Sequence, residues 1–399
     1  MLLPDGEVPP SVEIRWMMKR TIMSHSAETT SREPVETASP SKPGERGAAT
    51  FDFSEFSKTK MFPRIDGLRA VAILLVLWHH TGGDVPGAWL GYGYHGVTLF
   101  FAISGFLITT LLLREKERAG RISLTRFFAR RSLRIFPLYF LVLGVYFILV
   151  KFVESDEVRK EEFFGNLIYF ATYTSNWFVE RGSIFFCSWS LATEEQYYLV
   201  WPFIVALVAR RYAFGAAILA LILWAVAKFG ISPGLDEANL PVTIMKKIAP
   251  AICLGSISAI IIGSRRGFDA VSSVFRQQWA GVVLLIATVS ALIWGAHESV
   301  MAVCSATVVI YYVVAPNPIG GRLLTWKPAV FIGAISYGMY MWHLICKNGV
   351  GIVWSKTIGG SPPSALILFA LTLGAAILVS WISFKFYEKP FLRLKKYFG

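Results

Sequence analysis

The sequence predicts an all-α fold, a polytopic membrane bundle of about ten transmembrane helices, and three observations carry that prediction. Of the 399 residues 54% are apolar and only 16% are charged, against roughly 25% charged in an ordinary globular chain. Apolar runs recur that are long enough to cross a bilayer, which takes roughly 20 residues with a range of 17 to 25. The basic residues lie between these runs and form no domain of their own, so the net charge of +13 points to anionic lipid and an anionic small molecule, not to nucleic acid.

Residues 1–61 come first and differ from the rest. From Ser24 to Lys60 the chain is rich in Ser, Thr, Glu, Pro and Lys, a composition that buries too little apolar surface to fold. This segment is expected to be a disordered cytoplasmic tail without a cleavable leader, followed by a transmembrane domain over 62–399. The apolar runs fall near 68–81, 95–113, 133–150, 193–209, 213–229, 244–263, 278–296, 299–315, 329–346 and 364–386. An eleventh stretch, 163–178, is interrupted by Asn166, Thr172, Thr174, Ser175 and Asn176.

Charge decides what that stretch is. With both ends in the cytoplasm of a cell (inner or plasma) membrane and 163–178 left out, twenty basic residues of the loops and C-terminus fall inside and nine outside, as the positive-inside rule requires. Counting it as a span puts Arg210, Arg211, Arg265, Arg266 and the basic C-terminus outside. The segment 151–192 is therefore read as one outer stretch with partial, re-entrant helix. No internal repeat and no broken helix of the transporter kind is visible. The four cysteines are widely spaced, and neither a metal site nor a disulfide framework is expected.

Ionisable groups within spans are functional suspects. In the first span Arg69 and His80 are eleven residues apart, three turns plus about 20° at 100° per residue, so they share one helix face some ~16 Å apart along the axis. His79 points about 100° away from His80. Snorkelling to the headgroups would explain Arg69 equally well. Ser104-Gly105 in the second span suits close helix packing. Arg126, Arg130, Arg131 and Arg134 lie at helical spacing before the third span. They read as a topology anchor, as a phosphate clamp, or as both. Glu194 and Glu195 open the fourth span at the depth expected for His80. They would cap that helix or orient the histidine. His343 lies in the outer half of the ninth span, where a structural bond to a neighbouring helix is the competing reading.

Together these stretches resemble the membrane-bound acyltransferase-3 family, from about Phe62 to Phe398. The resemblance rests on Arg69 and His80 with ten residues between them, on the block Gly96–Ile108, and on Arg130, Arg131, Arg134, Ile135 and Pro137. It extends through Trp189–Tyr198, Ser336–His343 and Glu388-Lys389-Pro390. Thr98 stands where the family commonly has an acidic residue. The chain looks like the short form of the family, without the extracytoplasmic hydrolase-like domain.

The resemblance implies an acyl-CoA-dependent O-acyltransferase, with acetyl-CoA the usual co-substrate and no metal. The acceptor would be a hydroxyl on a surface polysaccharide, a lipid-linked glycan or a glycosylated metabolite. His80 would be the general base, Glu194 or Glu195 its orienting carboxylate, and Arg69 a phosphate or oxyanion partner. The arginines at 126, 130, 131 and 134 would hold the donor, and His343, Ser104 and Glu388 are further candidates. The competing class is a transporter or flippase whose buried Arg and His line a path. Oligomeric state is left open.

Overall fold

The computed structural model describes residues 52–59, 61–83, 91–230, 239–359 and 361–398. All secondary structure among the described residues is helical. The tail expectation for 1–51 lies outside them. At the end of that region Phe53–Lys58 forms a short helix capped by Asp52, whose carboxylate accepts from the Glu55 N–H at 2.8 Å. Phe56 is buried there against Phe62 and Phe268. Arg114 ties the segment down by donating to the carbonyls of Thr59 and Phe56 at 2.6 and 2.7 Å.

Seven helices carry the argument: α1 (Pro63–Trp78), α2 (His95–Ala119), α3 (Leu124–Phe152), α4 (Ser188–Leu207), α5 (Pro250–Ile262), α6 (Lys327–Thr357) and α7 (Ala365–Ser383). Five described helices are long and apolar enough to cross a membrane: α2, α3, Arg210–Phe229, α6, and α7 with its continuation to Phe398. Up to seven qualify if each bent pair counts as one span. The expected count of about ten is not reached on this measure. The helices α1 and Glu298–Val314 have only 16 and 17 residues. Helix α4 has 20, but it opens on Ser-Trp-Ser-Leu-Ala-Thr-Glu-Glu-Gln and is too polar.

The bent pairs also correct the expectation of unbroken helices. Leu240–Lys246 meets α5 at 57°, and Arg265–Phe275 meets Gln278–Ile293 at 83°. The first break has a local cause. Proline disfavours helical geometry in the residue before it, and Ala249, which precedes Pro250, is extended at φ −85°, ψ 107°. The stretch 163–178 contributes only to short helices, Glu157–Gly165, Leu167–Ala171 and Ser175–Phe178, none long enough to span.

Small residues set how close the helices come, as membrane packing favours. A Cβ on Gly105 would lie 2.0 Å from the Ile252 carbonyl oxygen, and one on Gly255 2.2 Å from that of Ala102. The two glycines thus seat α2 and α5 backbone to backbone, and Ser256 Oγ donates to the Gly105 carbonyl at 3.1 Å. A Cβ on Gly333 would fall 1.8 Å from the Asp66 carbonyl oxygen, which brings the start of α1 against α6. These approaches fix the depth at which the polar side chains of α1, α2, α4 and α6 meet.

Candidate active site

A cavity of about 190 Å³ lies among α1, α2, α3, α4 and α6. Arg69, Arg131 and Arg134 line it together with Glu194, Glu195, Ser104, Ser190, Tyr337 and Tyr340. Phe100, Leu107 and Ile108 of α2 supply part of its apolar wall. The charges are held in place by several helices at once. Arg69 lies 3.8 Å from Asp66, one turn back on α1. The Arg131 guanidinium sits 3.7 Å over the Tyr198 ring of α4, a cation–π contact. Ser104 Oγ donates to Glu194 Oε1 at 2.6 Å, and Glu194 is within electrostatic reach of Arg131 and Arg69. Two buried polar atoms of lining residues, Arg131 Nε and Glu195 Oε1, have no hydrogen-bond partner among the described residues. They are a donor and an acceptor that a ligand in the cavity can use.

The proposed arginine clamp divides. Arg131 and Arg134 line the cavity, whereas Arg126 is exposed. Arg130 is engaged elsewhere, donating to the Phe398 carbonyl at 2.6 Å and lying 3.6 Å from Glu115. Glu388 is buried, accepts from Ser383 Oγ at 3.3 Å and is within electrostatic reach of Arg134.

The histidines form a second group one turn further along α6. His80 lies past the end of α1, in a π-helical turn over His79–Gly83. Its Nδ1 is 2.9 Å from the Val76 carbonyl oxygen and 3.3 Å from His343 Nε2. The two rings are 4.9 Å apart. His343 is buried, with Nδ1 2.6 Å from the Tyr340 carbonyl oxygen. His79 points elsewhere, toward the Gly91 carbonyl oxygen at 3.1 Å. Tyr340 links the two groups, since it lines the cavity and its ring lies 5.6 Å from His343. Its hydroxyl donates to the Cys187 carbonyl at 3.0 Å and is 2.6 Å from Ser190 Oγ.

The contacts described for His80 and for Glu194 are made with different partners. The partners described for Glu194 are Ser104, Arg131, Arg69 and Tyr198, whereas His80 is set against Val76, His343 and the Phe186 ring. Helix α4 begins at Ser188, not at 193, so Glu194 lies six residues in, roughly 9 Å along the axis. His80, by contrast, sits beyond the end of its helix. Arg69 and His80 do reach the same neighbour, α6: Arg69 through the cavity wall and His80 through His343.

Sequence reasoning passed over Ser190, Tyr198, Tyr337 and Tyr340 as actors. They sit in the Trp-Ser-Leu and Ser-Tyr blocks already singled out, but neutral hydroxyls carry no charge anomaly to mark them. Thr98, at the position where an acidic residue was expected from the resemblance, has Oγ1 3.2 Å from His95 Nδ1. Among the described residues no group of three or more His, Cys, Asp or Glu is placed to hold a metal ion.

A family profile described as an acyltransferase domain matches residues 62–383. The chain is 27% identical over 389 residues to O-acetyltransferase OatA of Staphylococcus aureus strain NCTC 8325, covering 86% of this chain and 59% of that protein. The same identity and coverage hold for O-acetyltransferase OatA of S. aureus strain COL. The chain thus spans about three fifths of the length of these relatives. No solved structure matches it. The match across residues 62–383, over the same stretches that carry the arginine cavity and the histidine pair, makes this chain a member of the acyltransferase-3 family.

Proposed function

We propose that the chain is an integral membrane O-acyltransferase that moves an acyl group, acetyl in the first instance, from acyl-CoA to a hydroxyl of a sugar-containing acceptor. One observation carries the reading: Tyr340 lines an arginine-rich cavity and packs against His343, which in turn contacts His80. A donor with phosphates at one end and a thioester at the other end of a long flexible arm suits that geometry. Arg131 and Arg134 bind phosphate oxygens, for which guanidinium forks are matched. The Arg131 Nε and Glu195 Oε1 atoms pair with the polar groups of the arm, and the apolar wall takes its methylenes.

In the transfer, His80 accepts the proton of the acceptor hydroxyl as that oxygen bonds to the thioester carbon. The carbon–sulfur bond then breaks, and the thiolate leaves and takes the proton from the imidazolium. Arg69 belongs with the phosphate end, since roughly 16 Å of helix axis separates it from His80. Glu194 and Glu195 neutralise the arginines and hold the arm, and they do not orient the histidine. The excess of basic residues around the arginine end supports a cytoplasmic donor side, with the acceptor entering from the histidine end. The bent helix pairs favour a second reading, a transporter, which predicts substrate flux without acyl-CoA.

The test is expression in a bacterium followed by mass spectrometry of its surface glycans, with release of free thiol from acetyl-CoA measured in membrane vesicles. Glycans heavier by one acetyl group, absent with His80→Ala, are expected. Full transfer by His80→Ala would sink the mechanism, and flux without thioester cleavage would favour transport.

A further inference from the structure

The histidine pair has a polarity that its hydrogen bonds dictate. His343 Nδ1 is 2.6 Å from the Tyr340 carbonyl oxygen, and a carbonyl can only accept. Nδ1 of His343 therefore carries the proton. The ring is 1% exposed, where a charged imidazole is costly, so it is neutral and its Nε2 presents a lone pair. That lone pair faces His80 Nδ1 at 3.3 Å, while the Val76 carbonyl faces the same nitrogen at 2.9 Å. Flanked by two acceptors, His80 Nδ1 is the protonated nitrogen, which in a neutral ring makes Nε2 the basic one.

The Val76 carbonyl, one turn back on the same segment, also accepts from the His79 backbone N–H. The His343 nitrogen is the acceptor that comes from another helix and fixes the ring's rotation as well as its tautomer. It also remains an acceptor when His80 becomes an imidazolium, so the developing charge has a partner that is itself anchored to the α6 backbone. No carboxylate is needed for this, which accords with Glu194 being engaged by Ser104.

We infer that His343 is a positioning residue: acting through the hydrogen bond between its Nε2 and His80 Nδ1, it holds His80 with the proton on Nδ1 and Nε2 as the base. This rests on the acyltransferase reading for its consequence, but the tautomer itself can be observed without turnover.

The experiment uses the full chain, labelled with ring-15N histidine, purified and placed in lipid nanodiscs. Nitrogen spectra give the protonation of each ring, and His80 is identified by the signal lost in His80→Gln. Native His80 is expected to be neutral with the proton on Nδ1. His343→Leu, which fills the space without an acceptor, is expected to give a mixture of tautomers, and His343→Gln, whose amide oxygen can accept, to restore the native pattern. A native His80 protonated on Nε2, or a His80 signal unchanged in His343→Leu, overturns the inference.

Thioester cleavage is read in parallel, with acetyl-CoA as the probe in membrane vesicles. His343→Leu should lower kcat by about 10- to 100-fold, the loss seen when the outer partner that orients a metal-bound imidazole is removed, with KM for acetyl-CoA within about twofold. His343→Gln should recover most of kcat. An unchanged kcat in His343→Leu counts against the positioning role. If the native protein does not cleave acetyl-CoA at all, the acyltransferase reading falls, while the nitrogen spectra still decide the tautomer.

Discussion

The arginine end and the histidine end of the bundle are separated by one turn of α6, yet they are built on opposite principles. Around the cavity, charge is abundant and largely balanced within the protein: Arg69 against Asp66, Arg131 on the Tyr198 ring, and Glu194 under Ser104. At the other end two imidazoles touch each other and two backbone carbonyls. Charge placed in a low-dielectric interior is costly unless paired, so a region that keeps five charged side chains around an open cavity suits an anionic ligand. A ring pair whose described contacts include two backbone carbonyls has its nitrogens oriented by neutral acceptors. That difference underlies the proposed division, with donor binding in one region and proton transfer in the other.

That division can be broken by experiment, beginning with the largest effect. His80→Ala should lower kcat for acetyl transfer by about 10² to 10⁴, the range for loss of a general base, with KM for acetyl-CoA little changed. Steady-state thiol release checks both numbers. Arg131→Ala should do the reverse, raising KM for acetyl-CoA by about 10- to 100-fold, as expected for losing a charge-assisted bond of roughly 1.5–3 kcal/mol. If it lowers kcat alone, the cavity is not the donor site.

Glu194→Gln distinguishes the sequence expectation from the tertiary arrangement. If the carboxylate served His80, kcat would collapse. In the arrangement seen here, the amide keeps the Ser104 bond and loses only its balancing of Arg69 and Arg131, so the main change is in KM, by about 3- to 10-fold for a loss near 1 kcal/mol. Gly105→Val leaves both regions chemically intact but drives a side chain into the Ile252 carbonyl. Overpacking costs about 1–3 kcal/mol, which a thermal-shift measurement on purified protein would register as a lower Tm. The smallest effect belongs to Arg126→Ala. Its side chain is exposed, and KM for acetyl-CoA should stay within about twofold, since exposed charges contribute little.

Much of this was legible in one dimension. Apolar runs and basic clusters announced a membrane bundle because helix length and bilayer thickness are matched by simple arithmetic. The eleven-residue step from Arg69 to His80 predicts one shared face for a regular helix of 3.6 residues per turn, whereas α1 ends at Trp78 and His80 sits in the π-helical turn that follows. The ordered blocks carried the family, and the motif that held His343 held Tyr340 as well. What stayed hidden was where α4 begins. A hydropathy run near 193 marked the apolar part of that helix, but Ser188 to Ala192 extend it by more than a turn.

Sequence alone thus determined the helical membrane class, the family and the residue types on hand, because these follow from local periodicity, ordered motifs and side-chain chemistry. Only the tertiary structure decided who meets whom: Glu194 with Ser104 and Arg131, His80 with His343, and Arg126 with solvent. The register between helices is set by where small residues let two backbones touch, as Gly105 does at Ile252 and Gly333 at Asp66. A relation between distant segments of this kind leaves no mark on the periodicity of either one.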